Sequence, residues 1–449
     1  MVSDTGHGEF SSTAYWQRRY RRGGNSGAGS YGRLAQYKAD YVNHIVRDYG
    51  ISRVVEFGCG DSNQASLYSF PAYLGLDVAP SAVEICEQKL GSRPNWQFKL
   101  LDGTPIPKHD MAMSIDVIFH LVEDDVYDRY MRSLFDAAES CVLIYSSDKD
   151  DPHPAKHVRH RSFSDWIAEN QPDWVLVDSP EHPFPLKEGL SEDAHSFAAF
   201  KLYLRRHRPA GKIRAHLATF PPRRGQLEAV VENISRQVDE LFLVLNEYDD
   251  IPDFIQENKK VKAVIPETDL KDTGKFYFPA DPDDVVFFVD DDVNYPADFV
   301  DRSLALAGHV GLEKTVFGYH CSIYADDLKD GAKSRQVTHI SRKNPRFLKV
   351  DQIATNAMIG LGRNVAPFSY MQSSQKFVDV RYAKWLFEHD IQSVMLPRAK
   401  NYITEINSKN AGDVTIYKSF TRNSPQHVID EIKSFAGKSR QIGRNLYED

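Results

Sequence analysis

The sequence predicts an α/β fold in two domains, each built on a largely parallel sheet, and three observations carry that prediction. Short apolar runs alternate with helix-like stretches from Arg53 to Leu204, the rhythm of strand–helix–strand units. A basic stretch, Arg205 to Lys212, holds Pro209 and Gly211 and interrupts the rhythm, which restarts at Ile213. At 449 residues the chain is also longer than one hydrophobic core usually serves.

The first five strands are expected at residues 54–57, 73–76, 98–101, 114–117 and 141–145. Between the last two, Val126, Tyr130, Leu134 and Ala138 recur every four residues, the spacing of a crossover helix laying one stripe on a sheet. Residues 174–177 and 197–204 read as two further strands that pair with each other at the sheet edge. In the second half the pattern predicts a strand at 213–219, a helix at 227–237, strands at 240–245 and 261–265, and a strongly apolar strand at 284–289. The expected organisation is a lead-in over 1–52, a first domain over 53–207, a linker over 208–212 and a second domain over 213–449.

Composition excludes several classes of partner. Lys and Arg number 55 against 63 Asp and Glu, a net charge of −8 that gives no global attraction to nucleic acid or an anionic membrane. One short basic and aromatic cluster, Tyr15 to Arg22, is poor support for a nucleic-acid partner on such a chain. The four cysteines, Cys59, Cys86, Cys141 and Cys321, form no CxxC pair, which argues against a zinc site or a disulfide framework and for a reducing compartment. Apolar runs such as 285–289 fall far short of the ~20 residues of a membrane helix, so a cytoplasmic protein without an integral membrane segment is expected.

The strand at 54–57 runs into Gly58-Cys59-Gly60-Asp61-Ser62, a glycine turn where open α/β sheets bind cofactors. A dinucleotide site wants GxGxxG, but Asn63 takes the third glycine's place, and Glu56 and Asp61 put two carboxylates where a pyrophosphate would lie. Those charges favour a cation, and S-adenosylmethionine carries an ammonium and a sulfonium without phosphate. Asp77, 21 positions after Glu56, ends the second strand and suits the ribose hydroxyls. Asp102 ends the third strand and suits the adenine amino group, and Asp116 ends the fourth.

Through Glu56-Phe57-Gly58-Cys59-Gly60, Asp77, Asp102 and the strand ending at Asp116, the sequence resembles the class I S-adenosylmethionine-dependent methyltransferases, with a Rossmann-like sheet, over residues 53–204. It departs at Ser62, where many members have a third glycine. The resemblance implies methyl transfer, in which catalysis is mostly positioning, helped by a base where the acceptor is a hydroxyl. His120 is the expected base, followed by His157 and His160 in a basic cluster that would also suit an anionic acceptor. The lead-in, with Tyr15, Trp16, Tyr20 and four arginines, is similar to the entry segment of methyltransferases of bacterial surface-polysaccharide synthesis and reads as a lid.

In the second half, the strand at 284–289 is apolar on both faces and delivers Asp290-Asp291-Asp292 to the sheet edge. Three carboxylates together call for a cation, and hard oxygen donors suit Mn²⁺ or Mg²⁺ held by Asp290 and Asp292. Asp290-x-Asp292 after a hydrophobic strand resembles the DxD motif of GT-A-fold glycosyltransferases, over residues 213–402. The resemblance implies a nucleotide-sugar pocket using Thr219, Pro221, Asp249 (or Asp250), Lys275 and Asp290, and a downstream catalytic base, Asp379, 87 positions after Asp292. His320, Arg398 and Lys400 are further candidate ligands. The chain departs from the pattern at Asn246-Glu247-Tyr248, where an acidic pair is usual.

The combined expectation is a bifunctional transferase of surface-polysaccharide synthesis with S-adenosylmethionine and a divalent metal as cofactors. Its partners would be a nucleotide-sugar donor, a glycan acceptor and neighbouring polysaccharide-synthesis enzymes. Two alternatives remain: a methyltransferase whose second domain only binds glycan, and a scaffold whose acidic patches bind a basic protein.

Overall fold

The structure is a computed structural model that describes residues 10–186, 195–325, 327–329, 331–406, 425–439 and 442–447. Residues 1–9 of the expected lead-in lie outside them. The chain divides into two compact units, Met1–Arg205 and Arg206–Asp449.

The first unit opens with two helices, Ser12–Arg21 (α1) and Gly32–Asp48 (α2). Strands Arg53–Phe57 (β1) and Ala72–Asp77 (β2), helix Pro80–Leu90 (α3), and strands Trp96–Leu100 (β3) and His109–Ile115 (β4) follow. Helix Asp124–Asp136 (α4) then crosses to strand Ala138–Ser146 (β5), and helix Phe163–Asn170 (α5) leads to strands Trp174–Asp178 (β6) and Ala199–Arg205 (β7). The sheet order is β3-β2-β1-β4-β5-β7-β6. The first five strands are parallel, while β7 lies between β5 and β6 and runs antiparallel to both. The two late strands pair as their sequence suggests, with β7 the inner one.

Val55, Phe57, Ala112, Val142 and Ile144 form the sheet's side of the core, and α4 lays Tyr130, Met131 and Leu134 on it. The expected stripe ran one turn too far: α4 stops at Asp136, and Ala138 opens β5. An alanine buried at that spacing fits a strand start as well as a helix face. Asp124 and Asp125 occupy the first turn of α4, where the helix dipole favours negative charge.

In the second unit, strands Ile213–Thr219 (β8), Glu240–Leu245 (β9), Val261–Val264 (β10) and Val285–Val289 (β11) are parallel in the order β10-β9-β8-β11. Helix Arg224–Gln237 (α6) links β8 to β9. Beyond β11 the sheet continues through Ala357–Leu361, which is antiparallel to β11, then Thr315–Gly318, Gln392–Met395 and Leu348–Lys349. All five residues of β11 are buried, with Phe288 packed on Phe276 (ring centroids 4.6 Å) and Phe287 on Phe299 (5.6 Å). Among the described residues, no helix is long and apolar enough to cross a membrane.

Candidate functional site

The strand order of the first unit reverses between β1 and β4, so the chain leaves these strands in opposite directions and a crevice opens at their carboxyl ends. A cavity of about 320 Å³ lies there, walled by Glu56, Gly58, Gly60, Asp77, Asp116 and His120 and roofed by Ser12, Trp16 and Tyr20 of α1. That volume sits at the lower end of small-molecule sites, about 300–1,000 Å³.

The glycine turn follows from backbone geometry. Gly58 (φ +89°) and Gly60 (φ +62°) take left-handed conformations, and a Cβ on Gly58 would collide with Val117. The amides of Gly58 and Cys59 both donate to the Leu76 carbonyl, at 2.7 and 2.9 Å, tying the turn to β2. Ser62 also takes a left-handed conformation (φ +69°).

The lead-in is stitched onto this turn. The Ser26 amide (3.0 Å) and the Tyr31 hydroxyl (2.6 Å) donate to Asp61 Oδ2, and the Asp61 amide donates to Ser26 Oγ (3.0 Å). Burial raises the Asp61 carboxyl, but the bonds from Tyr31, Ser26 and Asn63 more than offset this and hold it below the usual carboxylate range. A Cβ on Gly60 would strike Ser26 Oγ. The start of α1 is fixed by its Ser12 amide donating to Glu123 Oε1 at 2.8 Å.

Carboxylates and the Lys38 ammonium set the field on the sheet side of the cavity. Asp77 is buried and accepts from the amides of Gly60 (3.0 Å) and Ala79 (2.9 Å); burial pushes it up to about 6 against those bonds. Burial pushes Glu56 up to about 7, although the Tyr73 and Tyr68 hydroxyls donate to it and Lys38 is nearby. Asp116, held at φ +58°, pairs with the ammonium of Lys38, a fully buried residue of α2 that also lies over the Tyr145 ring (5.3 Å). Gln64 lines the cavity and donates to the Ala35 carbonyl (3.0 Å), while its Oε1 is buried without a hydrogen-bond partner. An acidic wall, two glycines and an orphaned acceptor fit the ammonium and ribose of S-adenosylmethionine.

His120 lies at the end of this wall. Its Nδ1 is 2.9 Å from the His157 carbonyl, which can only accept, so Nδ1 carries the proton and Nε2 keeps its lone pair. Burial pushes this imidazole down to about 4. Trp16 meets its ring edge-on (4.9 Å), and Tyr15 stacks on His157 (4.8 Å).

Other expected residues lie elsewhere. Asp102 is exposed and accepts from the Thr104 amide (3.0 Å), while Leu101 and Gly103 on either side line the cavity. His160 is bonded to Ser147 Oγ (2.7 Å), and Arg159 and Arg161 each reach Asp124 (2.9 Å). The basic cluster therefore staples the loop before α4, with its guanidinium groups already engaged. Lys38 and Gln64 escaped the sequence reading because a lone Lys or Gln in an amphipathic stretch carries no motif.

The pH dependence expected of a cationic ligand in this cavity follows from Asp77 and Glu56. A cationic ligand needs them ionised, so its affinity should be constant above about pH 8 and fall at least ~10-fold by pH 5. Between their ordinary values and about 6 to 7 the folded chain keeps protons that the unfolded chain has released. The pair therefore lowers stability as pH rises through that window, and a cation relieves the cost. Calorimetric titration of S-adenosylmethionine from pH 5 to 9 checks this; a flat profile would remove both carboxylates from the binding site.

The second unit repeats the strand reversal between β8 and β11. Asp290 follows β11 and pairs with the buried Lys275 ammonium, which also donates to the Thr355 carbonyl (3.0 Å) and Oγ1 (3.3 Å). The amide and hydroxyl of Thr355 in turn donate to Asp379 Oδ1, both at 2.9 Å. Asp291 accepts from Thr219 Oγ1 (2.6 Å), and burial pushes it up to about 7. Asp292 pairs with Arg223 (2.6 Å), on the short turn Pro221–Arg223 before α6.

Several expectations for this site change. Mn²⁺ or Mg²⁺ on Asp290 and Asp292 does not fit the residues as they lie, because Lys275 and Arg223 already compensate these carboxylates. Among the described residues no group of three His, Cys, Asp or Glu side chains is placed to hold a metal ion. Lys275 is held by three internal bonds rather than presented to a phosphate. Asp249 and Asp250 are exposed beyond β9, and Asn246 instead binds the backbone of Leu270 (2.9 Å) and Lys271 (3.1 Å). His320 bonds Asn356 (3.2 Å), Arg398 is buried and donates to the carbonyls of Ile340 (3.0 Å) and His339 (2.9 Å), and Lys400 is exposed.

No protein-family model matches the chain, and no curated protein matches it. Among solved structures it is similar to magnesium protoporphyrin IX methyltransferase of Synechocystis PCC 6803 with bound S-adenosylhomocysteine. That match has 15% identity over 44% of this chain and 90% of that one, with TM-score 0.30. It is also similar to a SAM-dependent methyltransferase of Anabaena variabilis, at 16% identity over 46% of this chain and 99% of that one, with TM-score 0.35. An S-adenosylmethionine-dependent methyltransferase of Clostridium acetobutylicum matches at 8% identity over 38% and 92%, with TM-score 0.30.

Proposed function

We propose that the first unit transfers a methyl group from S-adenosylmethionine to an oxygen acceptor. The observation that carries this reading is the roofed cavity at the strand reversal, with Glu56, Asp77 and Asp116 in its wall and a neutral His120 beside them. The acids receive the cofactor's cationic end and ribose. When bound, the cofactor supplies an electrophilic methyl group. His120 Nε2 takes the acceptor's proton, and the roof of α1 excludes water from the exchange.

For the second unit we infer glycosyl transfer from a nucleotide sugar, on a GT-A-like sheet. The order β10-β9-β8-β11 followed by a reversed strand places Thr219 and Asp290 to Asp292 at one sheet edge, with Asp379 linked to them through Thr355 and Lys275. Asp379 would deprotonate the acceptor hydroxyl, and Arg223 is the cation nearest Asp292. A methyl and a glycosyl transfer on one chain suit glycan assembly, with surface polysaccharide as the product class and the cytoplasm as the place of synthesis.

Calorimetry on the full chain tests both sites. S-adenosylhomocysteine should bind, and Asp77→Ala should weaken it at least ~100-fold, since ribose bonds and the Gly60 anchor are lost together. A panel of nucleoside diphosphates, in chelator and then in Mn²⁺, should yield one ligand that Asp292→Ala loses and Asp77→Ala keeps. If no nucleotide binds under either condition, the second unit is not a glycosyltransferase.

A further inference from the structure

Cys59 and Cys86 are separated by 27 positions, yet their sulfurs lie 3.8 Å apart and both side chains are buried. Cys59 is the middle residue of the glycine turn and lines the cavity. Cys86 belongs to α3 beneath the turn, and its thiol donates to the Gly60 carbonyl at 3.2 Å. We propose that these two thiols form a redox switch, in which a Cys59–Cys86 disulfide closes the cofactor site. The proposal rests on the cofactor reading of the first unit.

The oxidant class is a small peroxide able to enter the cavity that Cys59 lines. The Cys59 sulfur attacks one peroxide oxygen, giving a sulfenic acid and one water. The Cys86 sulfur then displaces hydroxide from that sulfenic acid, and the thiol proton completes a second water. Two thiols and one hydrogen peroxide thus become one disulfide and two waters. A dithiol reductant reverses the bond by exchange.

A disulfide spans about 2.05 Å, so the sulfurs must approach by about 1.8 Å. The turn yields more easily than the helix. α3 is anchored by Ala82, Cys86 and Leu90 in the core, whereas Cys59 is flanked by two glycines in left-handed conformations. On the β2 side Cys59 sits beside Gly75, where a Cβ would come within 3.1 Å of its own, so the absence of a side chain there leaves the turn room to shift. Drawing Cys59 down removes the Cys86 donor from the Gly60 carbonyl and pulls the Gly60 amide off Asp77, the carboxylate that meets the ribose. The hydrogen bond with Cys86, and then burial, push the Cys59 thiol well up, so a closed, loaded site is slow to oxidise and an opened one is the reactive form.

The test treats the full reduced chain with hydrogen peroxide, with and without saturating S-adenosylhomocysteine, then quenches and alkylates it. Without ligand, the expected product carries two alkyl groups where the untreated chain carries four, its polypeptide 2 Da lighter before alkylation, with peptides holding Cys59 and Cys86 cross-linked and Cys141 and Cys321 still alkylated. Its S-adenosylhomocysteine affinity should fall at least ~10-fold and return with dithiothreitol, and bound ligand should slow the oxidation. Cys86→Ser, which keeps a donor to Gly60, should bind the ligand before and after peroxide alike. A chain that keeps all four thiols, or a cross-linked chain that binds as tightly as the reduced one, overturns the switch. A reduced chain that binds no S-adenosylhomocysteine overturns the cofactor reading and the switch with it, while the mass measurement still reports whether the thiols join.

Discussion

Replacing His120 with alanine is expected to slow methyl transfer by about 10²–10⁴-fold while changing S-adenosylhomocysteine affinity less than about threefold. The split follows from position. On the proposed reading the cofactor's charged groups would face Glu56, Asp77 and Asp116, whereas His120 Nε2 is the lone pair left at the end of the wall once Nδ1 donates to the His157 carbonyl. Because burial holds the imidazole near 4, it is neutral through the physiological range. The rate should therefore be flat with pH above about 5 as far as this base is concerned, and be lost only as the ring protonates below. Transfer of a labelled methyl group to the best acceptor of a glycan panel is the measurement. An alanine variant retaining more than about a third of the rate would mean that the acceptor reacts without this base.

The second large effect is on stability. Lys38→Met should cost the first unit about 3 kcal/mol, because it strands the Asp116 carboxylate in a mostly buried position without its cation. At the size of this unit that corresponds to a drop in Tm of roughly 6–12 °C. Methionine keeps the apolar stem, so lost packing contributes little. Adding Asp116→Asn should return most of the loss, since a neutral amide no longer needs the ammonium. Calorimetry on the single and double variants checks this, and equal losses in both would show that Lys38 acts through packing alone.

The sheets were legible because apolar runs of strand length alternate with helical stretches, a pattern that does not depend on distant contacts. Glu56, Gly58, Gly60, Asp77 and Asp116 could be read for the same reason, since each marks the end of a strand whose limits the apolar runs define. What could not be read depends on pairings across the fold. Nothing local says that Lys38 of α2 meets Asp116, that Cys59 meets Cys86, or that Arg223 and Lys275 compensate the aspartates after β11. That last pairing is why an acidic triplet that reads as a metal site lies among cations instead. Asp102 misled for a different reason: it caps a local turn through Thr104, a role that short polar residues fill wherever a strand ends. The strands beyond β11 were missed because runs of two to five residues, broken by Gly318 and Gly360, carry too little periodicity to stand out.

The stitching of Ser26 and Tyr31 to Asp61 bears on the timing of a catalytic cycle. The floor that would recognise the cofactor and the segment that follows the roof are joined by these bonds, so on the proposed reading floor and N-terminal segment move together. If exchange proceeds by lifting the roof, the N-terminal segment would unfasten and close again, a rearrangement of the kind that runs on microseconds to milliseconds. The tempo of turnover would then belong to residues 12–31, which contribute almost nothing to the sheet, and sequence changes in that short stretch could retune the enzyme's speed without touching its chemistry.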